Sequence, residues 1–193
     1  MAGVGKLIPF SRPPSRRLDL APWLVVALIA AGALWFVADR PAPSDARNYT
    51  AVPQSIVGRA SVIDGDTIEI HGTRIRLFGI DAPEGAQTCD LRGKTYRCGQ
   101  QAALALSDKL GNKTVECRPK DRDRYQRVVA VCTVAGEDIN AWMVAQGWAL
   151  AYRYYSRDYV TQEQRAADAK LGVWQGKFEA PWDWRRSERR VAN

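Results

Sequence analysis

The hydrophobic pattern divides the chain into stretches with different rules. Residues 21–38 read APWLVVALIAAGALWFVA, an uncharged apolar run long enough to cross a hydrocarbon core of about 30 Å as one helix. Lys6, Arg12, Arg16 and Arg17 precede it, which predicts a cytoplasmic amino terminus and a domain beyond the membrane. Trp23 and Trp35 suit the two interfaces. A cleaved signal peptide is the competing reading, but the run exceeds an ordinary signal core and Phe36 spoils a small-x-small site ending at Ala38. Residues 39–54 lose all apolar period and carry Pro41, Pro43 and Pro53 among polar residues, which predicts an extended tether.

From residue 55 the rhythm shortens to two. Val62 and Ile63 lead into the turn Asp64-Gly65-Asp66, residues 67–71 alternate, and Gly72 breaks the run, so a hairpin is expected. Arg74, Arg76 and Phe78 then alternate with Ile75, Leu77 and Gly79, placing cations on one strand face and branched apolar groups on the other. Asp81-Ala82-Pro83-Glu84 ends that strand, because proline removes a ladder donor. Residues 84–99 read as a mobile loop bracketed by Cys89 and Cys98. Helices are predicted over 100–110, stopped by Gly111; after an Asp138 cap, ended by Gly147; and over 161–171, stopped by Gly172. Short β-rich runs occupy 114–118 and 128–134. Strands first, helices interleaved and no regular βαβ alternation argue for an α+β fold dominated by a β-barrel, with about three helices. The divisions are thus 1–20 (basic terminus), 21–38 (anchor), 39–54 (linker), 55–182 (barrel domain) and 183–193. In the last, Arg185, Arg186, Arg189 and Arg190 look like a solvated basic tail, while Trp174, Trp182 and Trp184 are expected to pack the carboxy-terminal segment against the barrel.

Composition narrows this picture only in part. At 193 residues, 46% apolar, the chain holds one core-bearing domain plus appendages. A net charge of +7 fits an anionic partner or a membrane surface. Four cysteines beyond a membrane suggest two disulfides; three pairings exist, and we choose Cys89 with Cys98 across the loop and Cys117 with Cys132 across a hairpin. Their spacing is not that of a zinc site. His71 is the single histidine, so nucleophile activation by histidine and histidine-rich metal sites are nearly excluded.

Carboxylates gathered beside arginines suit a hard divalent cation facing an anionic substrate, with Asp66 and Asp81 as candidate ligands. Taken singly, each is an ordinary turn or strand exit. Together with 121–127, DRDRYQR, the chain resembles the staphylococcal nuclease (thermonuclease-like) family: its IDGDT turn matches Ile63 to Thr67, its strand exit matches Arg76 to Glu84, and its D-[KR]-Y-[GQ]-R element matches Asp123 to Arg127. The resemblance covers about 55–182 and implies an OB-fold barrel acting as a Ca²⁺-dependent phosphodiesterase on DNA and RNA. It implies Asp66, Asp81 and the Ala82 carbonyl as Ca²⁺ ligands, with Asp64 behind them, and Arg76, Glu84 and Arg127 as the catalytic groups. Tyr125 and Tyr152 or Tyr154 fall near the family's nucleotide pocket. Ala82 stands where many relatives have threonine, and the loop after Glu84 departs in length and in its cysteines.

An OB-fold module that binds nucleic acid without cleaving it is the alternative. Such a protein would be expected to lose carboxylates or arginines, whereas Asp66, Arg76, Asp81, Glu84 and Arg127 are all present. A membrane-tethered interaction domain explains the anchor and leaves this cluster unexplained. The expectation is therefore a monomeric nuclease with no implied protein partner, held by a single pass in a bacterial inner membrane with its domain on the periplasmic side.

Overall fold

The computed structural model describes residues 55–191; the predicted membrane anchor at 21–38 and the tether at 39–54 lie outside the described residues. The main sheet holds β1 (Ile56–Arg59), β2 (Ser61–Asp64), β3 (Thr67–Ile70), β4 (Thr73–Leu77), β8 (Thr114–Arg122), β9 (Val128–Val134) and the short β10 (Glu137–Asp138). Its order is β1-β8-β9-β4-β3-β2, with β10 on β9. Most neighbours are antiparallel, but β4 runs parallel to β9, pairing Ile75 with Val128 and Leu77 with Ala130. β1 and β2 stand at opposite ends of that order, yet only Ala60 separates them in the chain, so the sheet must curl until its two edges meet. Gly58 marks the contact. A Cβ there would stand 2.8 Å from Ile70 Cγ2 on β3. The result is a mixed, curled half-barrel; the strand pattern predicts a barrel within an α+β fold, and the half-barrel fits the OB type that the resemblance implies.

The alternation reads directly as burial. Ile68, Ile70, Ile75 and Leu77 are inside, as are Val115, Cys117, Val128, Ala130, Cys132 and Val134. Four α-helices surround the sheet: α1 (Cys98–Leu110), α2 (Ile139–Ala145), α3 (Val160–Asp168) and α4 (Pro181–Val191). α1 closes one end of the core through Ala102, Leu106 and Leu110, and it stops where Gly111 adopts a φ of +50°. Asp138 caps α2 by accepting from the Ala141 N–H. Asn140, fully buried on that helix, donates to the Phe78 and Ala130 carbonyls and accepts from the Cys132 N–H, so α2 is stapled to β9 and to the residue that follows β4.

Two expectations change. The segment 84–99 is a built hairpin rather than a mobile loop: β6 (Cys89–Leu91) pairs with β7 (Lys94–Tyr96), and the Cys89–Cys98 disulfide ties it to the start of α1. The arginines expected in a solvated tail lie on the fourth helix, which the prediction of about three did not include. Pro181 starts it, where a missing N–H costs nothing. The spacing 182, 185, 189 puts a tryptophan and two arginines on one face, so this stretch is amphipathic rather than uniformly polar.

The second disulfide, Cys117–Cys132, joins directly opposed residues of β8 and β9 inside the core. It closes a separation of 15 residues, which by loop entropy is worth about 3 kcal/mol. Replacing both of its cysteines by alanine should therefore lower the unfolding free energy by about 3 kcal/mol in denaturant titration, and replacing Cys89 and Cys98 by slightly less. Equal stability of the oxidised and cysteine-free proteins would refute this.

Candidate active site

The site is built outward from the β2–β3 turn. Asp64 Oδ1 accepts from the Asp66 N–H at 3.0 Å, which fixes the turn and aims Asp66 inward. Asp66 is 3% exposed, and both of its carboxylate oxygens accept hydrogen bonds. Oδ1 accepts from Arg76 Nη1 at 2.5 Å and from Thr67 Oγ1 at 3.2 Å, and Oδ2 accepts from the Ala82 N–H at 2.8 Å. Thr67 and Arg76 are cross-strand partners, which is why the guanidinium reaches this turn. Its other terminal nitrogen donates to Asp81 Oδ1 at 2.6 Å, so Arg76 bridges two carboxylates from opposite ends of the same meander.

Burial drives the Asp66 carboxyl up to about 7 from 3.8; Arg76 pulls it down, Asp64 and Asp81 push it up, and the Ala82 N–H pulls it back. Burial also works against the charge on Arg76, but Asp66 and Asp81 outweigh it and hold the guanidinium above its ordinary value.

Asp81 lies on β5 (Ile80–Asp81), opposite Leu150 on β11 (Leu150–Ala151), and is wholly buried. β11 is itself held by Glu163 of α3, which accepts from the Ala151 N–H and pairs with Arg153. Beyond Asp81 the chain turns to Glu84, whose backbone is clamped by the buried Gln87: Oε1 accepts from the Glu84 N–H, and Nε2 donates to the Glu179 carbonyl just before α4. Gly99 permits this packing, since a Cβ there would stand 1.7 Å from the Glu84 carbonyl oxygen. Arg185 of α4 completes the cluster. Nη2 meets Asp81 Oδ2 at 2.7 Å, and Nη1 reaches Asp81 Oδ1 at 3.0 Å and Glu84 Oε1 at 2.6 Å.

Arg127 comes from another part of the chain, the turn entering β9. Asp123 organises that turn by accepting from the Tyr125 and Arg127 N–H groups and from Arg127 Nε at 2.7 Å. Burial opposes the Asp123 charge, but the Arg127 and Tyr125 donors overcome it and hold the carboxyl below its usual range. The ion pair uses Arg127 Nε alone, which leaves the terminal edge of the guanidinium for a ligand. Tyr125, 65% exposed, lies beneath both Arg124 and Arg127.

Arg76, Glu84, Arg127, Arg185, Tyr125 and Tyr152 line one cleft of about 570 Å³. Tyr152 stacks on Trp182 with centroids 5.7 Å apart. Tyr155 joins it in the wall, whereas Tyr154 is 82% exposed outside the lining. The three motifs thus converge in space. Sequence reasoning missed the site roles of Arg185, Gln87 and Glu163; only Arg185 left a visible signal, the helical spacing from Trp182.

No three His, Cys, Asp or Glu side chains form a ready-made metal cage among the described residues. The donor chemistry nevertheless fits a hard divalent cation. Asp66 and Asp81 share Arg76, Asp81 and Glu84 share Arg185, and Asp64 adds a fourth carboxylate at the β2–β3 turn, so oxygen donors outnumber the guanidiniums paired with them here.

A curled OB-type sheet whose cleft sets buried carboxylates beside guanidiniums defines the class: a hydrolase that meets phosphate anions. A sequence model described as staphylococcal nuclease homologue matches residues 74–176, more than half of the chain. The chain is 42% identical over 130 residues to a Rhizobium meliloti protein named succinoglycan biosynthesis protein ExoI, covering 65% of this chain and 68% of the relative. It is 38% identical to a Haemophilus influenzae endonuclease (66% and 71% covered) and 33% identical to a Shigella flexneri micrococcal nuclease (68% and 81% covered). The chain belongs to the staphylococcal nuclease homologue family. It is a nuclease, and nucleic acid is its substrate.

The Asp66 shift has a measurable sign. Without metal, folded Asp66 keeps its proton up to about pH 7, while the unfolded chain releases it near 3.8. The folded state binds more protons in that window, so this contribution to stability is complete below 3.8 and is lost as pH rises through 7. In metal-free buffer the denaturation midpoint of the wild type should fall relative to Asp66→Asn between pH 4 and 7, then run parallel to it. Parallel profiles across the whole range would contradict the shift.

Proposed function

We propose that the protein is a Ca²⁺-dependent nuclease that hydrolyses phosphodiester bonds of DNA, RNA or both outside the cytoplasm. The observation that carries this is the convergence of Arg76 and Arg127, from separate segments, on the cleft that also holds Glu84 and abuts Asp66 and Asp81. Asp66, Asp81 and the Ala82 carbonyl would hold Ca²⁺, with Asp64 orienting the turn. When bound, the ion supplies positive charge against a non-bridging phosphate oxygen.

The remaining steps belong to the chain. Arg76 spends one hydrogen of each terminal nitrogen on Asp66 and Asp81, and each nitrogen keeps a second for phosphate. Arg127 offers its free edge from the opposite wall. As water attacks phosphorus and the P–O bond to the leaving group breaks, charge grows on the non-bridging oxygens, and these donors strengthen with it. Glu84, fixed by Pro83 and Gln87, takes the proton from the attacking water. Arg185 engages only its Oε1, so Oε2 is open to receive it. Tyr125 and Tyr152 offer faces for the flanking bases, with Tyr154 at the outer rim.

The two disulfides support the proposed location, since such bonds persist in oxidising compartments. Residues 21–38 would then be the single-pass anchor in a bacterial inner membrane, and the domain a monomer beyond it.

Two experiments test the reading. In turnover assays on single- and double-stranded DNA and on RNA, Arg76→Ala and Arg127→Ala should each lose at least about 10²-fold in kcat, and Glu84→Gln about 10²-fold or more with little change in KM. Asp66→Ala and Asp81→Ala should raise the Ca²⁺ concentration needed for half-maximal rate. Full wild-type turnover in excess chelator would remove Ca²⁺ from the mechanism. For topology, a reporter fused after residue 55 should be active only if it works outside the cytoplasm; activity restricted to a cytoplasmic reporter would overturn the anchor.

A further inference from the structure

Arg185 belongs to none of the three sequence motifs, and the family match ends at residue 176, before α4 begins. Its guanidinium nevertheless makes three contacts in the acidic cluster, against two for Arg76. It spans both oxygens of the wholly buried Asp81 and at the same time holds Glu84 Oε1. Asp81 Oδ1 already accepts from Arg76, so with Arg185 both of its lone-pair directions are taken. A cation ligated at the usual 2.3–2.6 Å from a carboxylate oxygen cannot share the edge that a guanidinium fork covers. It would also stand within about 5 Å of that guanidinium, in a partly buried place where like charges are poorly screened.

We propose that Arg185 is an internal cation that competes with the divalent metal for Asp81 and Glu84, and that it sets the metal affinity of the site. The inference rests on the Ca²⁺ reading above. In the described structure Arg185 supplies one positive charge where the metal would supply two. Metal binding requires its guanidinium to leave the Asp81 edge, and that swing also frees Glu84 from its ion pair. The helix is suited to this. Arg185 is 29% exposed at its side chain and faces the open cleft, while Trp182 on the same face stays stacked on Tyr152 and Gln87 holds the Glu179 carbonyl. The guanidinium can therefore move without α4 leaving the domain.

The test is calorimetric titration of the full chain with Ca²⁺, in the absence of substrate. Arg185→Ala and Arg185→Gln should each bind Ca²⁺ about tenfold tighter or more than wild type. Arg186→Ala removes the same charge from the outer face of α4, where Arg186 pairs only with Asp183, and should leave Ca²⁺ affinity unchanged. Free guanidinium at millimolar levels should weaken Ca²⁺ binding in Arg185→Ala and leave wild type nearly unaffected, a response that a merely structural ion pair would not show. If both Arg185 variants keep native circular dichroism and bind Ca²⁺ no tighter than wild type, the competition is refuted while the Ca²⁺ reading stands. If wild type and variants alike bind no Ca²⁺, both fall together.

Discussion

The Arg76 bridge between Asp66 and Asp81 is the contact on which the site depends. Two carboxylates buried this close to one another would each raise the cost of ionising the other, and neither could be tolerated without a shared cation. The guanidinium fork meets both because its two terminal nitrogens diverge, something a lysine could not reproduce. That one residue ties the β2–β3 turn to the exit of β4, and so converts a strand pattern into a cleft wall. Arg185 adds a second guanidinium on Asp81 and Glu84, so two arginines serve the carboxylates gathered here.

Around this bridge the supporting groups are polar and buried, which is unusual enough to be informative. Gln87, Asn140 and Glu163 are all inaccessible, and each satisfies backbone groups of segments that carry the chemistry. Removing any of them would leave unpaired donors or acceptors inside, a cost of about 1–3 kcal/mol apiece that water cannot relieve. The precision of the cleft is thus maintained by groups that never touch a phosphate.

Much of this was legible in advance, for identifiable reasons. Alternation over 67–77 exposed the inward set because a half-buried strand has a period of two, and the Asp138 cap and the Gly111 stop announce helix ends through local chemistry alone. The two cysteine pairs followed from short loops and adjacent strands. What stayed hidden depends on contacts distant in sequence. Gln87 reads as one more loop polar until Glu179 appears beside it. Arg185 reads as a basic tail residue because its partners lie about a hundred positions earlier, and helical spacing shows only that it shares a face with Trp182. Residues 84–99 read as a loose loop because two three-residue strands carry no period long enough to notice.

The parallel seam between β4 and β9 has a consequence for how the enzyme comes into being. β2, β3 and β4 form one local antiparallel ribbon, and β8 with β9 forms another, each closed by a short turn. The seam and the antiparallel pairing of β1 with β8 join them, and both must wait until α1 and the strands of the second ribbon have been made. Asp66 and Arg76 belong to the first ribbon, Asp81 follows it on β5, and Arg127 sits at the mouth of the second. The two ribbons can each be well formed while no cleft exists. A destructive activity is thereby tied to long-range pairing, and a chain still emerging from the ribosome carries the parts of a nuclease without being one.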